Sequence, residues 1–244
     1  MPSHDDSPAG PCHVISDLHL FTRRSEAELH QSAIEQAARR AGSLVLAGDI
    51  FDFRWSRWDS TDATAEAAIG WLTDLLAAAP GTELHYVLGN HDHMPALIHR
   101  LEVLAQSVPR FHWHPFHLRL GNALFLHGDA GQPGMTPERL VEYRGKFAIE
   151  RPASEFQERV YGAVVALRLH VLGARLIFPS RGVVRRIAAH VEALGSVWSE
   201  NVRNVYFGHT HLALDGVEHE GRRYHNCGSP MRGLSFRILE ADLS

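Results

Sequence analysis

Ser43–Phe53 reads SLVLAGDIFDF. Its first five residues carry no charge, and the run then breaks at Gly48-Asp49. A short apolar run stopped by a turn signal is the pattern of a strand buried on both faces. Polar chemistry placed directly at such a strand's end needs a reason. The same phrase recurs outward in both directions. His13–Ile15 runs into SDLHL, Glu83–Leu88 into GNHD, Ala123–His127 into LHGD, and Asn204–Phe207 into FGHTH. Each apolar strand delivers a polar cluster at its C-terminal end.

Helical signals fill the gaps. Ser25-Glu-Ala-Glu28 resembles a capping box opening a helix through Ala41. A second helix fits Thr64–Ala79, stopped by Pro80-Gly81, and Pro95 suits the first turn of a third. Gly121-Asn122 is a hairpin signal joining strands at Phe116–Leu120 and Ala123–His127. Residues 136–200 read as helices without strands, an insertion or cap, and strands return at Asn204–Phe207, Tyr224–Cys227 and Leu234–Leu239. The order indicates an α/β protein with a mixed sheet or two stacked sheets. It is read as a single domain over residues 1–244, with a loose tail at 1–11.

Composition narrows the function classes. The 244 residues are 45% hydrophobic and 21% charged, as in an ordinary globular protein, and the net charge of −4 gives no footprint for long nucleic acid. The opening MPSHDDSPAGP lacks the basic and apolar regions of a secretory signal. No uninterrupted apolar run reaches the roughly 18 residues of a membrane span. Cys12 and Cys227 do not make a disulfide framework, which favours a cytoplasmic setting. The unusual feature is 18 histidines.

Functional groups of open α/β sheets gather outside the carboxyl ends of strands. Asp17, His19, Asp49, Asn90, His127, His209 and His211 are therefore candidates to share one crevice. They supply carboxylate, imidazole and amide with no thiolate, a set suited to Mn, Fe or Zn. Seven donors exceed one tetrahedral site. Asp-x-His and His-x-His on extended segments would place both side chains on one face. Glycines 48, 89 and 208 precede the polar residues and let the backbone come close. His112, His114 and His117, in FHWHPFH, read as a solvated strand face instead.

SDLHL, GDIFDF, GNHD, LHGD and FGHTH resemble, in order, the signature blocks of the calcineurin-like metallophosphoesterase superfamily, across Asp17 to His211. NCGS at 226–229 resembles the turn that closes the pattern. The resemblance implies a four-layer α/β/β/α sandwich and two divalent metal ions, manganese first, with iron or zinc as alternatives. It implies Asp17, His19 and His211 on one ion, Asn90, His127 and His209 on the other, and Asp49 bridging. It further implies hydrolysis of a phosphoester or pyrophosphate by a metal-activated hydroxide. His91 would protonate the leaving oxygen, and Asp92 would orient it.

Substrate signals are fewer. Arg54, Trp55 and Trp58, just after Asp49, could grip phosphate and stack on a base or an acyl chain. Arginines 168, 175, 181, 185 and 186 in the insertion fit peripheral contact with an anionic membrane. GDIFDF followed by Trp, with the helical insertion, resembles the UDP-2,3-diacylglucosamine diphosphatase branch, which cleaves a lipid-linked pyrophosphate at the membrane. That branch carries Arg where this chain has His91, and an Asp-rich run where this chain has AGQPGMTPERL. Its substrate residues therefore do not transfer. A nucleotide or nucleic-acid phosphodiesterase is the alternative activity, and a non-catalytic metal-binding scaffold the alternative class.

Overall fold

The computed structural model describes residues 10–147 and 179–244, with single positions 153, 154, 157, 162, 165 and 173 between them. The first nine residues of the expected tail, and most of the apolar run at 163–178 with Arg168 and Arg175, lie outside the described residues.

Two five-stranded sheets form the centre. The first has the order β10-β1-β2-β3-β4, from β1 (Cys12–Ile15), β2 (Ser43–Ala47), β3 (Glu83–Val87), β4 (Phe111–His114) and β10 (Leu239–Ala241). β1 to β4 are parallel, and β10 closes one edge antiparallel. The second has the order β5-β6-β7-β9-β8, from β5 (His117–Leu120), β6 (Ala123–Leu126), β7 (Asn204–Phe207), β8 (Leu214–His219) and β9 (Arg222–Asn226). β6, β7 and β9 are parallel there.

Strand alternation explains the uninterrupted apolar run. Leu44 and Leu46 face one cluster with Ile15, Leu84, Tyr86 and Phe111, beneath α1 (Gln31–Arg40), α2 (Thr61–Ala78) and α3 (Pro95–Ser107). Val45 and Ala47 face the other way, into a cluster with Val14, Val87, Phe125 and Tyr206 between the sheets. On the far side, Leu124, Leu126, Val205 and Phe207 pack against Val183, Val184, Ile187 and Val191 of α5 (Ser180–Ala193) and Leu140 of α4 (Pro137–Phe147). These are the four expected layers. Truncating a buried residue such as Leu46 to Ala should cost about 2–5 kcal/mol.

Local chemistry moved several boundaries. The capping box is not formed: Ser25 Oγ donates to Leu18 O, the Glu28 carboxylate pairs with Arg57, and the segment begins as a 3-10 turn at Ala27–His30. α2 starts three residues early because Ser60 Oγ accepts from Ala63 N–H. The last expected strand shrinks to Leu239–Ala241, leaving only a bridge from Phe236 to Gly228 upstream. β8 was not foreseen, and β4 lies where FHWHPFH reads as a strand face. Among the described residues of 136–200 there are helices only: α4, α5 and the short α6 (Ser196–Ser199).

The FHWH face is solvated only in part: the His112 side chain is 42% exposed and lies 2.9 Å from Glu83 Oε2. His85, paired with His112 across β3–β4, stacks on that ring at 5.0 Å and lies 3.4 Å from His114. His117 sits against His190 of α5 and Trp198, half-buried.

Candidate metal centre

The loops that follow β1, β2, β3, β6 and β7 converge. Asp17 N–H donates to Gly48 O and His19 N–H to Asp49 O, so the β1–β2 pairing continues past the strand ends. Asp17 Oδ1 accepts from His209 N–H at 2.7 Å, and Asp49 Oδ1 from His91 N–H at 2.8 Å. This close approach requires two of the expected glycines. A Cβ on Gly89 would collide with the Asp49 carboxylate, and one on Gly208 with that of Asp17.

Backbone strain is concentrated here. Asp17, His19, Asp49, His209 and His211 have φ of 52°, 45°, 52°, 70° and 58°. Each left-handed non-glycine residue costs on the order of 1–3 kcal/mol, and such strain gathers at functional sites. It also corrects the expectation of extended Asp-x-His and His-x-His segments. These residues lie beyond β1 and β7, and their left-handed turns, rather than strand alternation, bring the side chains together.

Two donor groups contain the expected ligands, and a third among the described residues joins His19 to Asp52 and His91. In one of the two, Asp17, His19 and His211 offer atoms all within 4.8 Å of one another, with His19 Nε2 and His211 Nε2 3.0 Å apart. In the other, Asp49, His127 and His209 do the same, and Asn90 Oδ1 lies 3.2 Å from His127 Nε2 and 3.0 Å from His209 Nδ1. Asp49 Oδ2 is 3.2 Å from His127 Nε2 and 3.9 Å from His19 Nε2, so a single oxygen reaches both groups. All seven expected ligands come together.

The donors fit cations. Asp17 Oδ2 is buried and has no hydrogen-bond partner among the described residues. His19 Nδ1 is 3.2 Å from Asp52 Oδ2, and His127 Nδ1 is 3.3 Å from Ala47 O. With a proton on each outer nitrogen, Nε2 of both rings presents its lone pair inward, as metal ligation requires.

Charges at the site pull in opposite directions. Burial pushes the Asp17 carboxyl up to about 6. Burial would also raise Asp49, but His127 and His91 outweigh it and hold the group well below the usual carboxylate range. Burial disfavours charge on His91, yet Asp52 and Asp49 raise it to about 10.

Asp52 is the residue that sequence reasoning missed. Its Oδ1 lies 3.2 Å from His91 Nδ1 while its Oδ2 holds His19, and it is 4% exposed. The signal available was a second carboxylate, three residues after Asp49, in an otherwise apolar phrase. The bond expected from Asp92 to His91 is thereby reassigned. The Asp92 carboxylate accepts from the backbone N–H groups of Ile50, Phe51 and Gly89, pinning the β2 and β3 loops together.

The expected substrate residues are placed less tellingly. The Arg54 guanidinium lies 5.4 Å over the Trp55 ring, which also carries Arg24 at 4.5 Å. Trp58 is 40% exposed beneath Arg57. The insertion meets the site elsewhere. Phe147 of α4 is 5.9 Å from the His91 ring, and Tyr143, one turn earlier, contacts Phe147. Arg144 anchors this helix: fully buried, it makes two bonds to Asp129, at 2.8 and 2.9 Å, and donates to Pro115 O.

Comparison with known proteins adds three findings. A family model described as calcineurin-like phosphoesterase matches residues 11–213. No curated protein matches the chain. Among solved structures, a dimetal phosphatase from Danio rerio is 16% identical, with a TM-score of 0.46, over 92% of this chain and 88% of that one.

Proposed function

We propose a reaction from a settled premise: the chain belongs to the calcineurin-like phosphoesterase family and is a metal-dependent phosphoester hydrolase. In our reading, Asp17, His19 and His211 would hold one divalent ion, and Asn90, His127 and His209 the other, with Asp49 within reach of both groups. The observation that carries this is the reach of Asp49 Oδ2 toward both imidazole groups. Ions bound there would supply positive charge to the phosphoryl oxygens and would lower the pKa of a bound water toward 7. Oxygen and imidazole donors without thiolate favour manganese in this reading.

The protein's own groups do the rest. Asp52 holds His91 through Nδ1, which leaves Nε2 to deliver a proton to the leaving oxygen. Acid catalysis of this kind contributes about 10²–10⁴. Asp92 keeps the two loops in register. Phe147 covers one side of His91 and limits water there.

For the substrate we propose a pyrophosphate or phosphodiester carried on a nucleotide or lipid. Arg54, Trp55 and Trp58 would contact its organic part, and the helical insertion over 136–200 within a single domain would cover it. Arg181 and Arg185 on α5 fit transient contact with an anionic membrane, and none of the described helices is long and apolar enough to cross one. Two buried free thiols, Cys12 and Cys227, agree with a cytoplasmic setting. The test is a screen of manganese, iron and zinc against bis-p-nitrophenyl phosphate, a UDP-sugar and a dinucleotide, with liposome binding beside it. Preferred cleavage of the UDP-sugar supports the pyrophosphatase reading, and preference for the dinucleotide supports a phosphodiesterase. Absence of metal-dependent turnover on all three would leave the proposed reaction without support.

A further inference from the structure

Gln132 follows the 3-10 turn at Gly128–Gly131 and sits between the metal centre and α4. Its side-chain amide nitrogen is 3.1 Å from His209 Nε2 and 2.8 Å from the Tyr143 hydroxyl. On the opposite side of the same ring, His209 Nδ1 lies 3.0 Å from Asn90 Oδ1, within the donor group of Asp49 and His127.

A neutral imidazole carries one N–H. With the amide NH2 facing it, His209 Nε2 accepts, and Nδ1–H donates to Asn90 Oδ1. A metal ion taken up by Nδ1 reverses this, because Nδ1 must then offer its lone pair and Nε2 must carry the proton. An N–H would then face an NH2, donor against donor. A half-turn of the Gln132 amide removes the conflict by placing Oε1 at the same point. Its two lone pairs then meet two donors, His209 Nε2–H and Tyr143 O–H. In both arrangements the contacts of the amide to His209 and Tyr143 are matched, but only the second suits a bound ion.

His19 and His127 differ in this respect. Their outer nitrogens face Asp52 Oδ2 and Ala47 O, which accept whether or not a cation is present. Among the candidate ligands with an identified outer partner, only His209 faces a reversible one.

We infer that Gln132 is a positioning residue for His209: its amide turns to fix the ring in the metal-ready tautomer, and Tyr143 locks the amide there. This rests on His209 being a metal ligand, as proposed above. Since Tyr143 belongs to α4, the insertion is coupled to the affinity of one metal site and not the other. Outer partners of metal-bound histidines typically change metal affinity by about 10–100-fold.

The experiment is zinc titration calorimetry on the metal-free protein, with 15N NMR of labelled histidine. Wild type should show two sites. Gln132→Leu should weaken one of them about 10–100-fold, Tyr143→Phe less so, and Gln132→Glu, an acceptor that needs no turn, should restore binding. In wild type, His209 Nε2 should read as a lone-pair nitrogen without zinc and as N–H with it. Circular dichroism checks that each variant is folded. His209→Ala separates the premises. If it loses one site while Gln132→Leu loses none, the relay is wrong and the ligand assignment stands. If His209→Ala keeps both sites, the assignment itself falls. An Nε2–H in both metal states would also overturn the relay.

Discussion

Asp52 holds His91 through a 3.2 Å contact to Nδ1, while its other oxygen lies the same distance from the ligand candidate His19. One carboxylate thus holds the proposed acid and a candidate metal ligand together. His91→Ala should keep both metals and lower kcat by about 10²–10⁴. Asp52→Ala should lose similar turnover and also weaken the ion at Asp17, His19 and His211 by about 10–100-fold. Steady-state kinetics with elemental analysis checks both; equal metal affinity in the two variants would contradict the double role.

Asp49 is the residue reached by both donor groups, so Asp49→Ala should empty the centre rather than merely slow it. Elemental analysis of the purified variant should find less than half the metal of wild type, with an unchanged circular dichroism spectrum. Full loading would remove Asp49 from the centre.

Arg144 and Asp129 form an ion pair with both side chains essentially inaccessible to water. Arg144→Met would strand the Asp129 charge in the interior and should cost about 3–5 kcal/mol. Pairing it with Asp129→Asn should recover part of that loss, since the stranded charge disappears. Urea denaturation measures both. A loss below about 1 kcal/mol in the single variant would mean the pair behaves like a surface one.

Stability should fall in mild acid. Burial, with His114 and His112 beside it, pushes His85 down to about 3; burial and His112 push His114 to about 4. Burial, His190 and Arg144 push His117 to about 3. The unfolded chain takes up these protons near pH 6.5, but the folded chain does not until roughly pH 3–4. Stability from these groups is therefore complete above about 6.5 and drains away as pH falls. Unfolding at pH 5.5 should take up about one proton per histidine, and His85→Gln or His117→Gln should flatten the dependence of Tm on pH.

The sequence disclosed the candidate ligands more readily than the geometry that unites them. Asp17, His19, Asp49, Asn90, His127, His209 and His211 were legible because their donor chemistry repeats at strand ends, and buried strands such as Ser43–Ala47 are hard to mistake. Left-handed φ at five of those residues leaves no mark in the residue types, so the pairing of Asp17 with His19 and of His209 with His211 reads from sequence as strand alternation. Asp52 was hidden because a carboxylate beside Phe51 and Phe53 reads as part of a turn. Asp92 looked like the natural partner of its neighbour His91, yet three backbone amides claim it. Gln132 and Tyr143 are separated by 11 residues, and only the fold of α4 makes them adjacent. Of the FHWH histidines, His112 is solvated as expected, while His114 is half-buried beside His85, a cross-strand contact that period-two alternation does not reveal.

The account stands on paired cations sharing Asp49, and anomalous diffraction from manganese-loaded crystals tests that most directly. Two peaks are predicted, one within reach of Asp17, His19 and His211, the other within reach of Asn90, His127 and His209, with the Asp49 carboxylate touching both. A single peak, or none, among these seven side chains would contradict it.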